Sequence, residues 1–424
     1  MRFSMERKIL ISIILDQREI FKNFNYIPRL KDQSFLNDPE IVVISGVRRC
    51  GKSTLLYEIR QNNLDKDYFI NFDDERLIKF TLDDFQTLYE IFIELYGKQN
   101  TFYFDEIQNI NGWERFVRRL YDQGNKIFIT GSNASMLSKE LGTHLTGRYY
   151  QFELLPFSFK EYLALKKVTY SELDLYKTDT KALLKSRFNE FFTLGGFPAY
   201  LQNENRSYLK SLYESILYRD VMVRNNLTNE REILELVYFL ASNVAKLITY
   251  NSITSIINVQ HATTAKNYLH HLENTYLIFL VNKFDYALKK QILSPKKVYL
   301  IDNAISYELG FHTSEDNGRY LENIVFLELK RRSKDIYYHK QKYECDFVIR
   351  EKNRITQAIQ VCWSVHDNET RDRELRGLRE AMEFYHLDHA IILTENDDEI
   401  IRSNNQTIEI IPVWQWLLKT TTDL

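Results

Sequence analysis

The chain has 424 residues, of which 44% are hydrophobic and 27% are charged, and its net charge is −2. This length suffices for roughly two to four domains, and the near-neutral charge excludes a general affinity for polyanions, so any nucleic-acid surface must be local. The scarcity of glycine and proline argues against long disordered linkers. The three cysteines lack metal-ligand spacing, which favours a reducing, cytoplasmic location.

Residues 1–37 are predicted to form a helix followed by a connection. The apolar run from Ile9 to Leu15 leads directly into charged residues and lacks a small-residue cleavage site. It therefore predicts an amphipathic helix packed on the following domain rather than a signal peptide. No segment approaches the length of a membrane span, and we expect no membrane association.

A glycine-rich loop lies between an apolar strand predicted over 41–44 and a predicted helix. Residues 46–53 fit the pattern of a glycine, four residues and Gly-Lys-Ser, in which backbone N–H groups surround a polyphosphate such as that of ATP. Lys52 is expected to reach the terminal phosphates, and the Ser53 hydroxyl is expected to bind Mg²⁺. The predicted nucleotide-binding residues of the loop are Gly46, Arg49, Cys50, Gly51, Lys52, Ser53 and Thr54.

Two acidic residues end a second apolar strand, which is predicted over 101–104. Asp105 is expected to hold Mg²⁺ together with Ser53, because a phosphate-binding loop needs an acidic residue at a neighbouring strand end. Glu106 points to the other side of the strand end, and we predict that it is the general base that polarises an attacking water.

Two further features belong to the domain predicted over residues 38–156. The strand predicted over 126–130 ends at Thr130 and Ser132, either of which could contact the terminal phosphate or the attacking water. Arg148 precedes the last strand, where it either enters a neighbouring subunit's site as an arginine finger or forms a surface ion pair. Strands that alternate with helices in this order predict a parallel sheet with helices on both faces.

Residues 157–229 are predicted to be helical. The run Gly195-Gly196-Phe197-Pro198 interrupts the helices. This turn either places Pro198 against an adenine ring or is an ordinary helix break.

Residues 230–302 have the order of elements of a winged helix, in which three helices precede two strands. The third helix, predicted over 263–274, would face a DNA groove, and lysines of the wing would contact the phosphates. Such folds also serve purely as protein-interaction modules, and we leave that alternative open. The predicted DNA-binding residues are Lys266, Lys289, Lys290, Lys296 and Lys297.

Residues 313–424 are predicted to form a separate small α/β domain. Its first helix carries Glu322, its second strand carries Asp346, and the strand after that carries Gln360 and Cys362. The basic run 330–332 ends the helix and fits either a phosphate-binding face or a solvated helix end.

The whole chain resembles a prokaryotic ATPase family of the AAA superclass, in which an archaeal-ATPase-like core precedes a C-terminal domain of unknown function related to restriction endonucleases. The resemblance implies binding and hydrolysis of ATP by a P-loop core, an AAA-type helical lid after the core, and then a winged helix. The residues that carry it are 44–53, 104–108, 130–133, 145–148, 195–198, 218–220, 322–323, 344–347 and 411–414.

The sequence departs from the endonuclease-like pattern at the end of the chain. That pattern requires an acid on the first helix, an Asp, and then Glu-x-Lys on the next strand. Glu322 and Asp346 match, but Gln360 and Cys362 stand in place of Glu and Lys. We therefore expect a vestigial site that lacks one carboxylate and the only cation, without nuclease activity.

The sequence as a whole predicts a cytoplasmic ATPase that couples binding and hydrolysis of ATP, with Mg²⁺, to a conformational change on a partner. The partner is expected to be DNA, through the winged helix and the C-terminal domain, or another protein. Assembly into a homo-oligomer is left open. Two alternatives remain, namely an ATP-dependent nuclease of genome defence and a nucleotide-gated binding switch that barely turns over.

Overall fold

The computed structural model describes residues 5–20, 26–29, 36, 38–61, 67–132, 145, 147–310, 316–403 and 406–419. Two residues that carry part of the sequence resemblance, Asn133 and Thr146, lie outside these ranges. The chain divides into two compact units, residues 1–154 and 155–424. No helix in the described ranges is long and apolar enough to cross a membrane.

The first unit is built on a five-stranded sheet with the order β2-β3-β4-β1-β5. All of its strand pairs are parallel, as the sequence predicts. The strands are β1 (Ile41–Ser45), β2 (Tyr68–Asn71), β3 (Thr101–Asp105), β4 (Lys126–Gly131) and β5 (Tyr149–Glu153). The helices are α1 (Arg7–Ile20), α2 (Lys52–Arg60), α3 (Phe85–Tyr96) and α4 (Trp113–Asp122). Because the carboxyl ends of parallel strands share one edge, residues that follow β1, β3 and β4 come together there.

Helix α1 confirms the expected amphipathic helix. Its apolar face, with Leu10, Ile13 and Ile14, is buried in the core that also contains Leu88 and Phe92 of α3. Burial of each such side chain stabilises the unit by about 1.5–3 kcal/mol. The apolar run at the start of the chain is therefore explained by packing on the sheet domain.

The second unit begins with helices and continues with a small sheet. The helices are α5 (Phe159–Leu165), α6 (Thr178–Leu194), α7 (Pro198–Asn203) and α8 (Arg206–Ser215), followed by a π-helix over Ile216–Val223. Next come α9 (Glu230–Ala241), β6 (Leu247–Ile248), α10 (Tyr250–Ile256), α11 (Ala262–Asn274), β7 (Ile278–Asn282), α12 (Leu288–Leu293), β8 (Lys296–Leu300) and α13 (Asn303–Leu309). The three strands are antiparallel in the order β6-β8-β7.

The last part of the second unit is a six-stranded mixed sheet with the order β13-β14-β12-β11-β10-β9. Its strands are β9 (Asp335–Lys340), β10 (Glu344–Glu351), β11 (Arg354–Val361), β12 (His389–Thr394), β13 (Glu399–Ser403) and β14 (Gln406–Pro412). Its helices are α14 (Asn317–Arg331), α15 (Asn368–Tyr385) and α16 (Val413–Leu418).

The predicted domain of residues 313–424 stays a prediction, and its residues contact the segment before it. Lys283, directly after β7, forms a parallel bridge with Tyr338 of β9, and the Phe284 N–H donates to the Tyr338 carbonyl at 2.9 Å. Side chains of β8 also bond to α14 and β10. These contacts join the middle and final segments in one compact unit.

Candidate nucleotide-binding site

Two positions of the loop between β1 and α2 require glycine, because neighbouring atoms leave no space for a side chain. A Cβ on Gly46 would lie 2.2 Å from the Leu154 carbonyl oxygen, and one on Gly51 would lie 2.6 Å from the Arg29 guanidinium. Both glycines also have positive φ, +151° and +104°, which side chains disfavour. Helix α2 begins at Lys52 without a side-chain cap, so its first N–H groups are directed to the loop.

The Lys52 ammonium is buried inside the loop, where it is only 4% exposed. Its Nζ donates to the Gly46 and Val47 carbonyls at 3.3 and 3.2 Å and lies 3.4 Å from Glu106 Oε1. Burial alone would lower the pKa of Lys52, but the Glu106 carboxylate raises it above its ordinary value. Lys52 is therefore a charged group held at the mouth of the loop by contacts that a phosphate can replace.

The two acidic residues after β3 have different surroundings. Thr130 at the end of β4 donates its hydroxyl to Asp105 Oδ1 at 2.5 Å and accepts the Glu106 N–H at 2.9 Å. Glu106 has a left-handed backbone conformation, with φ of 51°, and accepts a hydrogen bond from the Gln108 amide. One threonine thus fixes the Asp105 carboxylate and the Glu106 backbone at the sheet edge beside the loop.

These surroundings separate the pKa values of the two carboxyls. Burial and the charge of Glu106 raise the pKa of Asp105, and the Thr130 and Ser53 hydroxyls offset this only in part. Burial also opposes ionisation of Glu106, but Lys52 and the Gln108 hydrogen bond hold its pKa below the ordinary value. Glu106 is thereby kept as a carboxylate, which is the form that a general base requires.

Among the buried oxygen atoms that lack hydrogen-bond partners within the described part of the chain, two lie at the ends of β3 and β4. They are the Ser132 hydroxyl, in a residue that is 3% exposed, and Asp105 Oδ2. Buried polar atoms are normally satisfied, so these two suit an outside ligand. Ser53 is exposed and can reach such a ligand with its hydroxyl. The residues present therefore fit a nucleotide phosphate with Mg²⁺ held by Ser53 and Asp105.

The other predicted residues of the loop have varied positions. Arg49 is exposed with φ of 65°, and Thr54 is partly buried. Cys50 is fully buried, and this burial raises the pKa of its thiol, so it acts as loop packing rather than as a reactive group.

Arg148 lies 3.5 Å from Asp122 Oδ1 with a side chain that is 32% exposed. Of the two alternatives for Arg148, the surface ion pair is present, and the arginine finger stays a prediction.

Sequence reasoning missed Arg29, which precedes the loop by about twenty residues. Arg29 is 7% exposed, its guanidinium donates to the Cys50 carbonyl, and its backbone N–H donates to Glu58 of α2 at 2.9 Å. No motif marks it, because both contacts depend on how a preceding segment passes over the loop. Arg29 fixes the outer side of the phosphate-binding loop.

The glycines before Pro198 have a role inside the second unit. A Cβ on Gly195 would lie 1.8 Å from Asp302 Oδ1, and the Gly196 N–H donates to Asp302 Oδ2 at 2.6 Å. The turn therefore encloses the buried Asp302 carboxylate, and Pro198 opens helix α7. Contact of Pro198 with an adenine ring stays a prediction.

Two of the lysines predicted to bind DNA are buried, and that assignment is wrong for them. Lys296 is 7% exposed and donates to the Gln291 and Ile292 carbonyls, while Lys297 is 2% exposed and ion-paired within the unit. Their side chains lie on opposite faces of β8, but both faces of this central strand are covered. Lys266, Lys289 and Lys290 are exposed, as expected.

The basic run at the end of α14 is also used internally. Arg331 and Arg332 both pair with Glu328, and Arg332 lies over the Trp416 ring. Lys330 lies over the Phe279 ring. The expectation of a phosphate-binding face at this run is therefore not supported by its packing.

The four residues of the expected vestigial site line one cavity of about 790 Å³. They are Glu322, Asp346, Gln360 and Cys362. The expectation that this set lacks a cation is wrong, because Lys297 of β8 reaches it from a part of the chain outside the motif. The expected shortage of carboxylates is also corrected, since Glu344 and Glu374 line the same cavity.

Comparison with known families agrees with the geometry of the loop. Residues 38–163 match the family described as AAA domain, and residues 185–315 and 317–416 match two families described as domains of unknown function, DUF8612 and DUF4143. The first unit is therefore the core of an AAA-type P-loop ATPase.

Two relatives match nearly the whole chain. It is 38% identical to the uncharacterized protein MJ1544 of Methanocaldococcus jannaschii, over 98% of this chain and 96% of the relative. It is 29% identical to an uncharacterized protein of Haemophilus influenzae, over 93% of this chain and 98% of that one. The chain belongs to the same family as the archaeal protein MJ1544.

Solved structures overlap with the chain only loosely. The RuvB Holliday junction branch migration motor of Thermotoga maritima is 14% identical, with a TM-score of 0.27 over 64% of this chain and 88% of RuvB. AMPPCP-bound DnaA from Aquifex aeolicus is 14% identical, with a TM-score of 0.22 over 62% of this chain and 86% of DnaA. Overlaps with such low scores carry no argument about function.

Proposed function

We propose that this protein hydrolyses ATP at the loop of residues 46–53 and uses the nucleotide cycle to change its conformation on a partner. The observation that supports this most is the set of buried groups at one sheet edge. Lys52, Glu106 and Asp105 are held beside a backbone cradle, with the unpaired Ser132 hydroxyl next to them in the strand order.

Each group has a role that follows from its surroundings. The loop N–H groups and Lys52 bind the phosphates, and Glu106 accepts a proton from the attacking water. Thr130 holds the Asp105 carboxylate and the Glu106 backbone in place, and the Ser132 hydroxyl is free to donate to the terminal phosphate. When Mg²⁺ is bound, it neutralises charge on the phosphate oxygens.

The partner surface that we propose is the segment 230–302, as a winged helix that contacts duplex DNA. Its support is the order of α9, β6, α10, α11, β7 and β8 and the exposure of Lys266, Lys289 and Lys290. Lys296 and Lys297 are removed from this surface, since both are buried. Protein contact by the same segment remains the alternative.

We also propose that the final segment has a restriction-endonuclease-like fold.

The experiment that tests the proposal is steady-state phosphate release from Mg²⁺-ATP, with and without duplex DNA. Turnover that increases with DNA is the expected result. Turnover that stays near one event per chain would favour the nucleotide-gated switch. Native mass measurement under the same conditions gives the number of subunits.

A further inference from the structure

Three of the carboxylates that line the cavity of the final segment hold a buried cation that the local motif does not predict. Lys297 Nζ lies 2.8 Å from Glu322 Oε1, 3.0 Å from Glu344 Oε1 and 2.7 Å from Asp346 Oδ1. An ammonium group has three N–H donors, and three carboxylates at these distances satisfy all of them. Lys297 belongs to β8, whereas the acids belong to α14 and β10.

We propose that the Lys297 ammonium is the resident cation of the cluster formed by Glu322, Glu344 and Asp346, and that it takes the place of a divalent metal ion in the endonuclease-like fold proposed above. The proposal does not depend on the ATPase function. It concerns the chemistry of a second site on the same chain.

Other protein donors to the three carboxylates support this proposal. Asp346 Oδ2 accepts the Val361 N–H at 2.9 Å, and Glu344 Oε2 accepts from Lys340 at 3.1 Å. Tyr299 donates its hydroxyl at 2.5 Å to Glu322 Oε1, the same oxygen that Lys297 contacts. Mg²⁺ needs oxygen ligands at about 2.0–2.1 Å in near-octahedral geometry, and these oxygens are arranged for N–H and O–H donors instead.

Gln360 has the wrong orientation for a metal ligand. Its only ligating atom, Oε1, accepts the Asp346 N–H at 3.2 Å, and its Nε2 donates to Glu374 Oε2 at 2.6 Å. Arg373 occupies the other oxygen of Glu374 at 2.7 Å. In the described ranges, no group of three or more His, Cys, Asp or Glu residues is arranged to hold a metal ion.

Electrostatics also disfavours a metal beside Lys297. Burial alone would lower the pKa of this lysine, but Asp346 and Glu322 raise it well above its ordinary value, so the ammonium keeps its charge. A divalent ion at hydrogen-bond distance from a buried ammonium would be repelled strongly, because the protein interior screens charges poorly. The site can gain a metal only if the ammonium is removed.

The test counts Mn²⁺ ions on the full chain by electron paramagnetic resonance, with a saturating non-hydrolysable ATP analogue. We expect one bound Mn²⁺ ion for the wild type, at the nucleotide. We expect a second ion for Lys297→Met, whose cavity should bind Mn²⁺ at least tenfold more tightly than the wild-type cavity does. Lys296→Met is the matched control, since Lys296 is buried on the same strand but donates to backbone carbonyls, and it should gain no ion. If the nucleotide site binds no Mn²⁺, the ion counts of the wild type and of Lys297→Met both fall by one, and Lys297→Met still binds one ion more than the wild type.

The wild type alone can also overturn the proposal. A second Mn²⁺ in the wild type that is lost in Asp346→Asn would show that the cavity is a metal site despite Lys297. Folded Lys297→Met without a second ion would also contradict it. If Lys297→Met does not fold, Lys297→Met combined with Glu344→Gln lowers the uncompensated charge, and it should still bind an ion that the wild type does not.

Discussion

The Lys52 ammonium and the Glu106 carboxylate lie 3.4 Å apart in the buried mouth of the phosphate-binding loop. The residue expected to bind phosphate and the residue expected to activate water are therefore paired with each other. In the proposed function, we expect ATP phosphates to compete with Glu106 for Lys52, so that nucleotide binding would release the carboxylate for catalysis. The pairing would then link occupation of the site to activation of its base.

The pairing predicts opposite effects of Glu106→Gln on binding and on turnover. Hydrolysis should fall about a hundredfold or more, because the amide cannot accept the proton. ATP should bind several-fold more tightly, because Lys52 no longer has a carboxylate partner. Phosphate release and equilibrium binding of a fluorescent ATP analogue measure the two effects.

Lys52→Ala is the matched variant on the other side of the pair. It should abolish tight ATP binding, because Lys52 is the cation that we assign to the terminal phosphates. If the Glu106→Gln protein hydrolysed ATP at the wild-type rate, the assignment of Glu106 as the general base would be contradicted.

Arg148 gives a second prediction, with Asp122 as its control. Arg148→Ala should lower hydrolysis about a hundredfold or more and leave ATP affinity nearly intact if it completes a neighbouring site. Asp122→Asn removes the same ion pair but keeps the arginine, and should retain activity. Mixing Arg148→Ala with Lys52→Ala protein should restore some turnover. If Arg148→Ala and Asp122→Asn lost hydrolysis equally, and mixing restored no turnover, Arg148 would serve only in the surface ion pair.

DNA binding gives a third prediction, measured by fluorescence anisotropy over a range of salt concentrations. Replacing Lys266, Lys289 and Lys290 with Ala should lower the slope of log affinity against log salt by about 0.9 for each phosphate that the variant no longer neutralises. Lys167→Ala and Lys177→Ala, at exposed positions of the same unit, should leave the slope unchanged. If the wild type binds no duplex DNA at low salt, with or without ATP, the segment is a protein-contact module.

Asp302 gives a prediction about stability and pH. Burial raises the pKa of Asp302 to about 7, although the Gly196 and Ala304 N–H groups partly offset it. A pKa raised in the folded state stabilises the protein below the unfolded value near 4, and this contribution is lost as the pH rises through about 7. Urea unfolding of the wild type should therefore lose up to about 4 kcal/mol from this group between pH 4 and pH 7.

The Asp302 effect can be isolated with two variants. Asp302→Asn cannot titrate, so its unfolding free energy should vary less over the same pH range than that of the wild type. Asp388→Asn changes an exposed carboxyl of the same unit and should follow the wild type. Parallel pH profiles for wild type and Asp302→Asn would contradict the assignment.

The nucleotide site could be predicted closely because its parts are local. The loop of residues 46–53 is continuous in the chain, and the apolar strands around it indicate a parallel sheet by their composition alone. Asp105 and Glu106 follow such a strand directly, so the shared sheet edge brings them to the loop. Thr130 lies at the end of β4 at the same edge, but its hydrogen bond to Asp105 was not predicted, and its contact with a phosphate or water stays a prediction.

Lys297 shows what only the tertiary structure decided. Its neighbours Lys289, Lys290 and Lys296 make it look like part of a basic wing, yet its partner Asp346 is 49 residues further along the chain. Arg29 and Cys50 are another pair, 21 residues apart and outside any pattern. The sequence by itself determined local geometry and the loop chemistry, because these depend on adjacent residues. Burial of one lysine among distant acids depends on how β8 packs against α14 and β10, which no local pattern encodes.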